Sequence, residues 1–453
     1  MTCRAVVPRQ GILGALLCAL VAALLAAAPA ADASSKAPCL HGQKHPRCLF
    51  WGAKVKMVAD GDTIKVVLAG DRSGTRRLIR FNGINAMELS RYSTLQRNRR
   101  GACHAVAAAG LVARYVKRSH WHVRLSAQHA SSATGARHRL RRSVLVKVRG
   151  HWTDLAKLEL EAGLALWLPN GKEWAHNLEY HVLAEQARLA QRGLYNPAAC
   201  GYGPDQDLPI RVAVNWDANG TDSHNRNGEW VDVFNNGARP LPLGGWWLRD
   251  SWLRYNAHHV PGFQFPAGTV VPPGGAVRLH MGRGHDRARS FFWWRTRAVF
   301  ENVTHNRKRM GDGAYLFDPQ GDLRASSMYP CVVACFDPLR GAVRVHVQAR
   351  GHESVTIRNV STAPVNLEGQ VLKLHVRGRN DHYVFGYAFG AGAVIPPGAR
   401  MRVVPKGSPR HDRPLLRHMG RGRHVFADRG GVMSLRTDSD MRTACSSWGR
   451  GHC

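Results

Sequence analysis

The sequence predicts a multidomain chain: an N-terminal β-barrel carrying helices, of α+β type, followed by two antiparallel β-sandwiches. Three observations predict it. Residues 53–81 alternate β-branched runs with Gly- and Asp-rich turns, and helical segments follow, which suits a small barrel flanked by helices. Beyond residue 228 the sequence repeats itself at a constant offset of 124 residues. Each copy is built from short alternating strands between Gly and Pro turns, the pattern of a sandwich.

Residues 1–33 read as a secretory leader. Arg4 and Arg9 precede an apolar run from Ile12 to Ala28, and Ala31-Asp32-Ala33 supplies small residues at a cleavage point. The run is short for a membrane anchor and is built mostly of alanine. No other stretch is apolar enough to span a bilayer, so the mature chain is expected to be secreted without a membrane span. Export sets how the ten cysteines are read. Cys3 and Cys18 leave with the leader, and Cys39, Cys48, Cys103, Cys200, Cys331, Cys335, Cys445 and Cys453 remain. An even number in an exported chain favours disulfides, and the absence of paired Cys-x2-Cys knuckles disfavours zinc. The domain plan pairs Cys39 with Cys48, Cys103 with Cys200, Cys331 with Cys335, and Cys445 with Cys453.

Charge is the strongest compositional feature. Lys and Arg number 64 against 31 Asp and Glu, a formal net charge of +33. Such a field favours polyanions: nucleic acid, anionic cell-wall polymers or lipid head groups. It does not choose among them, and a surface solvated by arginine gives the same balance. The chain is long enough for two or three separate cores.

The first domain is expected to span residues 48–202. Strands are predicted at Ala53 to Met57, Thr63 to Leu68 and Arg76 to Phe81, then a helix from Ala102 to Val116. Val123 to Ala127 and Ser143 to Val148 complete the strands. Asp154 caps a short helix, Leu155 to Ala162, which stops at Gly163. A longer helix from Glu173 to Gln191 places Trp174, Leu178, Val182 and Leu189 at near-helical spacing and ends at Gly193. Strands that close on themselves beside three helices make the oligonucleotide-binding (OB-fold) arrangement.

Within it, Asp60 to Glu88 carries the parts of a phosphodiesterase. A carboxylate pair, Asp60 and Asp62, sits in a tight turn after a strand. Arg80 follows on a strand, and Glu88 comes eight residues later in a polar loop. A hard cation takes oxygen ligands, a hydrolytic water needs a carboxylate base, and a phosphate in transition needs guanidinium forks.

This stretch resembles the staphylococcal (thermonuclease-like) nuclease family. The segments EAGLALW (Glu161 to Trp167) and AEQARLAQRGLYN (Ala184 to Asn196) resemble that family's helix end and closing helix, in the right order. The resemblance implies that Asp62 binds a catalytic Ca2+ with Asp60 in support, and that Glu88 activates water. Arg80 and a second arginine would clamp the phosphate. Where the family reads Asp-x-x-Gly-Arg this chain reads Arg137, His138, Arg139, Leu140, Arg141, and counting back from Gly150 favours Arg141 for the second arginine, with Arg142 as the near alternative. Position 85, a second metal carboxylate in the family, is Asn85 here. Its amide oxygen still ligates, but the loss of a charge weakens calcium binding. Trp167 falls near an aromatic that packs on the nucleotide in the family.

Residues 203–228 read as a linker. Asp217-Ala218-Asn219-Gly220-Thr221-Asp222 alternates oxygen-bearing residues around a glycine, but no bidentate Glu follows at the spacing of a calcium loop, so it reads as a turn. The first sandwich is expected at 229–336 and a second, diverged copy at 343–453. Glu229, Val231, Asn235, Leu243, Gly245 and Phe265 recur as Glu353, Val355, Asn359, Leu367, Gly369 and Phe389. Val-x-Val-x-Asn, Leu-x-Gly-Trp, and GDGAYLFDPQGDL (Gly311 to Leu323) resemble the lamin-tail domain, which implies an immunoglobulin-like fold. Trp246 matches that family's core tryptophan. For Trp247, Trp252, Trp293 and Trp294, set among arginines and histidines, both base stacking and closure of the sandwich stay open.

The expected function is therefore a secreted, calcium-dependent endonuclease that hydrolyses DNA or RNA with little sequence preference. The sandwiches would add affinity for substrate or for anionic cell-wall polymers. The alternative is a weakened nuclease-like scaffold that binds nucleic acid or wall polyanions.

Overall fold

A computed structural model describes residues 35–453 except 90–101, 130–131, 133, 136–138, 197, 199–207, 219–221, 253–261, 304–309, 336, 338, 377–382, 391, 423 and 438–440. The expected leader lies outside the described residues. The chain is dominated by β-structure. Among the described residues no helix is long and apolar enough to cross a membrane.

The first unit comprises strands β1 (Ser35–Pro38), β2 (Arg47–Asp60), β3 (Thr63–Leu68), β4 (Arg77–Phe81) and β5 (Ile84–Ala86), helix α1 (Ala105–Arg118), and strands β6 (His122–Ala127), β7 (Thr134–Gly135), β8 (Arg139–Val148) and β9 (His151–Asp154). Helix α2 (Leu155–Glu161), strand β10 (Ala165–Trp167) and helix α3 (Asn177–Leu189) follow. The main sheet runs β1-β2-β3-β4-β8-β6, and β6 pairs back onto β2, so five strands close into a barrel. Closure is antiparallel except for β4 against β8, which run parallel. Period-two alternation turns Ile64, Val66, Ile79, Phe81, Val144 and Val146 into the barrel, all of them buried. Their neighbours Thr63, Arg80 and Arg141 face out.

Each predicted strand and helix of this unit is present with shifted ends: the strand expected from Arg76 starts at Arg77, the helix expected from Ala102 to Val116 runs Ala105–Arg118, and the helix expected from Glu173 to Gln191 is trimmed to Asn177–Leu189. The strand expected from Ala53 begins at Arg47, because Phe50 and Trp51 pair with Ser126 and Leu125 to close the barrel. Asp154 caps α2 as expected, its carboxylate accepting from Ala156 N at 2.9 Å. The Gly-rich ends of the two helical segments have one cause. Gly163 and Gly193 both have positive φ, and their backbones touch, so a Cβ on either would collide with the other's segment.

The first sandwich holds β11 (Ile210–Asn215), β12 (Trp230–Asn235), β13 (Leu241–Pro242), β14 (Trp247–Arg249), β15 (Phe263–Gln264), β16 (Val270–Val271), β17 (Ala276–His280), β18 (Ser290–Phe292), β19 (Asp312–Phe317) and β20 (Leu323–Tyr329). Its sheets run β11-β12-β17-β18 and β15-β14-β19-β20, with a β13-β16 ribbon. The stretch read as linker thus contains β11, which pairs with β12 along its whole length, so the sandwich begins before residue 229. The second copy is β21 (Val343–Gln348), β22 (Ser354–Asn359), β23 (Val365–Asn366), β24 (Val371–Val376), β25 (Tyr383–Ala388), β26 (Val394–Ile395), β27 (Arg400–Lys406), β28 (Leu416–Arg421), β29 (Gly430–Arg436) and β30 (Arg442–Gly449). Its sheets, β21-β22-β27-β28 and β25-β24-β29-β30, reproduce the first topology strand for strand.

Three disulfides close as expected: Cys39–Cys48, Cys331–Cys335 and Cys445–Cys453. Cys103 is also disulfide-bonded, and its expected partner, Cys200, lies outside the described residues. Trp246 is a buried core residue of the first sandwich. Barrel and first sandwich share one hydrophobic core. Tyr315, Phe317, Leu323 and Met328 join the barrel cluster, and Trp247 stacks on Phe317 at 4.2 Å against it. Burial of that many apolar side chains at one boundary fixes the two units relative to each other.

Candidate active site

The Asp60-Gly61-Asp62 turn joins β2 to β3. Asp60 Oδ1 accepts from Asp62 N at 3.1 Å, which pins the turn from inside. Gly61 lies against the alanine-rich helix α1 and against β5; a Cβ there would stand 2.5 Å from Ala108 Cβ and 2.8 Å from Ala86 Cβ. That close approach carries Asp62 to β5. Its Oδ2 accepts from Ala86 N at 2.7 Å, and its Oδ1 accepts from the Thr63 hydroxyl at 2.9 Å.

Strand register places the cations. Thr63 on β3 lies opposite Arg80 on β4, and Arg80 lies opposite Arg141 on β8. Two residues before Arg141, on the same face, Arg139 reaches the Thr63 hydroxyl at 3.5 Å. Arg80 forms an ion pair with Asp62 Oδ2, and its Nη2 donates to Asn85 Oδ1 at 3.1 Å. Asn85 is held at this spot because β5 pairs with β10: Leu166 is its direct partner, and Ile84 faces Trp167. The Leu-Ala-Leu-Trp run after α2 thus acts as the backing strand of the site.

The structure brings Asp60, Asp62, Asn85, Glu88 and Arg141 together around the Arg80 guanidinium. Burial pushes the Glu88 carboxyl above its usual range, and the negative charge of Asp60 adds to this; Arg80, Arg139 and Arg249 oppose it. Burial likewise raises Asp60, against the pull of Arg80. Arg80 is drawn down to about 9, first by burial, and the carboxylates of Asp60 and Glu88 hold it up. It therefore stays cationic at neutral pH.

Two expected residues lie elsewhere. Trp167 is 0% exposed and stacks on His181 at 3.9 Å inside the core, so it cannot pack on a nucleotide. Arg142 points to the barrel interior, one residue out of phase with Arg141. Its guanidinium lies 4.8 Å over Trp51 and donates to Ser132 Oγ at 3.4 Å. Between the two alternatives the register therefore selects Arg141. Arg137 and His138 lie outside the described residues.

Other side chains come from the first sandwich, and no local sequence signal marks them. Asn85 Nδ2 donates to the Ser251 carbonyl at 3.1 Å. Arg249, only 2% exposed, donates from Nη2 to that same carbonyl at 3.1 Å. The Arg141 guanidinium lies 4.9 Å over the ring of Trp252.

The donor set suits a hard cation in kind, since every group is an oxygen donor. The negative charge of Asp60 raises the affinity of Glu88 for a proton, and a bound cation relieves that repulsion. In number the set is thin. Among the described residues no three His, Cys, Asp or Glu side chains gather into a metal-holding group, so amide or backbone oxygens must complete any coordination. The Asp217 to Asp222 segment behaves as a turn at its described ends: Asp222 accepts from Ala218 N at 3.1 Å and from Asn302 Nδ2 at 3.0 Å.

Comparison with known proteins adds one family. Residues 210–330 match the family model described as Lamin Tail Domain, which is immunoglobulin-like and spans β11 to β20. The barrel lies outside that match. A comparison with curated proteins finds no match.

Proposed function

We propose that the chain is an exported, calcium-assisted endonuclease whose first unit is an OB-fold barrel of the staphylococcal-nuclease kind. The observation that carries this reading is the row Thr63–Arg80–Arg141 across three adjacent strands, flanked by Asp60, Asp62 and Glu88. A basic row beside partly buried carboxylates suits a bridging phosphodiester, which needs cations on its oxygens and a base for water. Glu88, with its raised pKa, is the base. Arg80 and Arg141 bind the nonbridging oxygens. Calcium, held by Asp62, Asp60 and the Asn85 amide oxygen, supplies further charge stabilisation when bound. Arg80 exchanges Asp62 for the incoming phosphate, which frees the Asp62 carboxylate. The net charge of +33 supports a polyanionic substrate, and the disulfides support an oxidising compartment.

A second reading is favoured by one observation: Asp62 and Asn85 are both engaged by protein groups. Under it the chain binds DNA, RNA or anionic wall polymers without cleaving them. The deciding experiment is degradation of single-stranded DNA, duplex DNA and RNA by the mature chain as calcium is titrated, beside Glu88→Gln. Calcium-dependent cleavage lost in the variant supports the endonuclease. Binding without cleavage at every calcium level, unchanged by the variant, leaves the scaffold.

A further inference from the structure

Two arginines of the candidate site, Arg80 and Arg141, are held by one short turn of the neighbouring domain. Ser251 and Trp252 follow β14 after the single residue Asp250, and the strand's Trp247 and Leu248 are packed into the shared core and the sandwich core. The Ser251 carbonyl accepts from Asn85 Nδ2 and from Arg249 Nη2, each at 3.1 Å. Asn85 in turn accepts from Arg80 Nη2 at 3.1 Å. On the other side of the turn the half-buried Trp252 ring lies 4.9 Å beneath the Arg141 guanidinium.

We propose that the Arg249–Trp252 turn of the first sandwich is a positioning element of the barrel's phosphate site, fixing Arg80 through Asn85 and Arg141 through Trp252. This rests on the reading of the candidate site as a nucleic-acid phosphate site. The physical reason is entropic. An arginine side chain carries several free torsions, and a guanidinium held in place before the phosphate arrives does not lose that freedom on binding. A tryptophan face orients the guanidinium plane and leaves its N–H edge free to point elsewhere, which suits a clamp. A backbone carbonyl is an acceptor that only a donor can meet, so an amide at position 85 fits this turn and a carboxylate does not. The sandwich is then part of the site, and the barrel alone is incomplete.

The test uses the full mature chain in chelator, so that nothing is cleaved. Binding of a labelled single-stranded oligothymidylate is followed by fluorescence anisotropy across a salt series. Wild type is compared with Trp252→Ala, Trp252→Phe, Arg141→Met and the Trp252→Ala/Arg141→Met double variant. Trp252→Ala is expected to weaken binding by about three- to tenfold, the size of a partly desolvated cation–π contact. It should also flatten the slope of log affinity against log salt by about 0.7, one phosphate contact on a single strand. Trp252→Phe should recover most of the loss. In the Arg141→Met background, Trp252→Ala should cost nothing further, because Trp252 acts through Arg141. An equal penalty in both backgrounds, or none in either, overturns the inference and leaves the nucleic-acid site standing. A wild-type chain that does not bind the oligonucleotide overturns both.

Discussion

Asn85 on the barrel donates its side-chain amide to the backbone carbonyl of Ser251 on the first sandwich, at 3.1 Å, and both groups are buried. The same amide accepts from Arg80, so its two ends serve two partners of opposite demand. A carboxylate serves only one of them. Asn85→Asp is therefore expected to set an acceptor against the Ser251 carbonyl while adding an anionic oxygen beside Asp62. Stability should fall by about 1–3 kcal/mol, the cost of a buried unmet acceptor, and calcium affinity should rise. Thermal unfolding without calcium and isothermal calcium titration measure the two changes separately. A variant that binds calcium more tightly with an unchanged melting temperature would show that the contact with Ser251 carries no weight.

The charge of Asp60 acts on Glu88 in a definite direction. Burial is the main cause of the raised Glu88 carboxyl, and the Asp60 charge is the second. A general base must be ionised, so the acid limb of kcat/KM should lie above the usual carboxylate range. Asp60→Asn removes the repelling charge and keeps an oxygen for the Asp62 amide, so the Glu88 pKa drops. The acid limb should then move to lower pH even as the rate falls. A pH profile of nuclease activity for both proteins reads this out; a limb that stays put argues against Glu88 as the base.

Much of this site is visible in the sequence, and the remainder has definite reasons for being hidden. Asp60, Asp62, Arg80 and Glu88 lie within 29 consecutive residues, from the end of β2 to the loop beyond β5, so local spacing reports on them. The sandwich repeat is visible because its turns are fixed by Gly and Pro. Strand β11 escaped because the loop after it differs in length between copies: β11 ends at Asn215 before β12 at Trp230, whereas β21 ends at Gln348 before β22 at Ser354. The constant offset breaks there, and a six-residue strand looks like linker. Trp167 misled because an aromatic after a helix end reads equally well as a cleft wall or a core filler. Its pairing opposite Ile84 turns it inward. Ser251 meets Asn85 across 166 residues, and no local pattern encodes such a contact.

Gly61 ties the fold to the site. Its missing side chain lets the carboxylate turn sit against Ala108 of α1 and Ala86 of β5, closer than any Cβ allows. Gly61→Ala should push the turn off both surfaces, at a cost of about 1–3 kcal/mol for an overpacked contact. The shift also lengthens the bond from Ala86 N to Asp62 Oδ2, so calcium-dependent activity should fall further than stability alone explains at a temperature where the variant is fully folded. Chemical denaturation together with activity at low temperature separates the two effects. Full activity in a destabilised variant would show that Asp62 does not depend on this packing.

Glu159 on α2 offers a test of the barrel core that does not depend on catalysis. It is 0% exposed, neither carboxylate oxygen has a hydrogen-bond partner among the described residues, and burial pushes its pKa to about 9, with Arg114 opposing. The folded value lies above the ordinary 4.5, so the folded chain holds a proton that the unfolded chain releases. Stability from this group is complete below the ordinary value and is lost as pH rises through the folded one. Glu159→Gln removes that dependence at nearly constant volume. The variant should match wild type near pH 4 and exceed it by about 3–4 kcal/mol at pH 7, from about 1.4 kcal/mol for each of the roughly 2.5 pH units above the ordinary 4.5. Urea unfolding at a series of pH values measures the difference. A gap that does not widen with pH would mean that Glu159 is ionised and paired in the folded chain, and that α2 packs on the barrel differently.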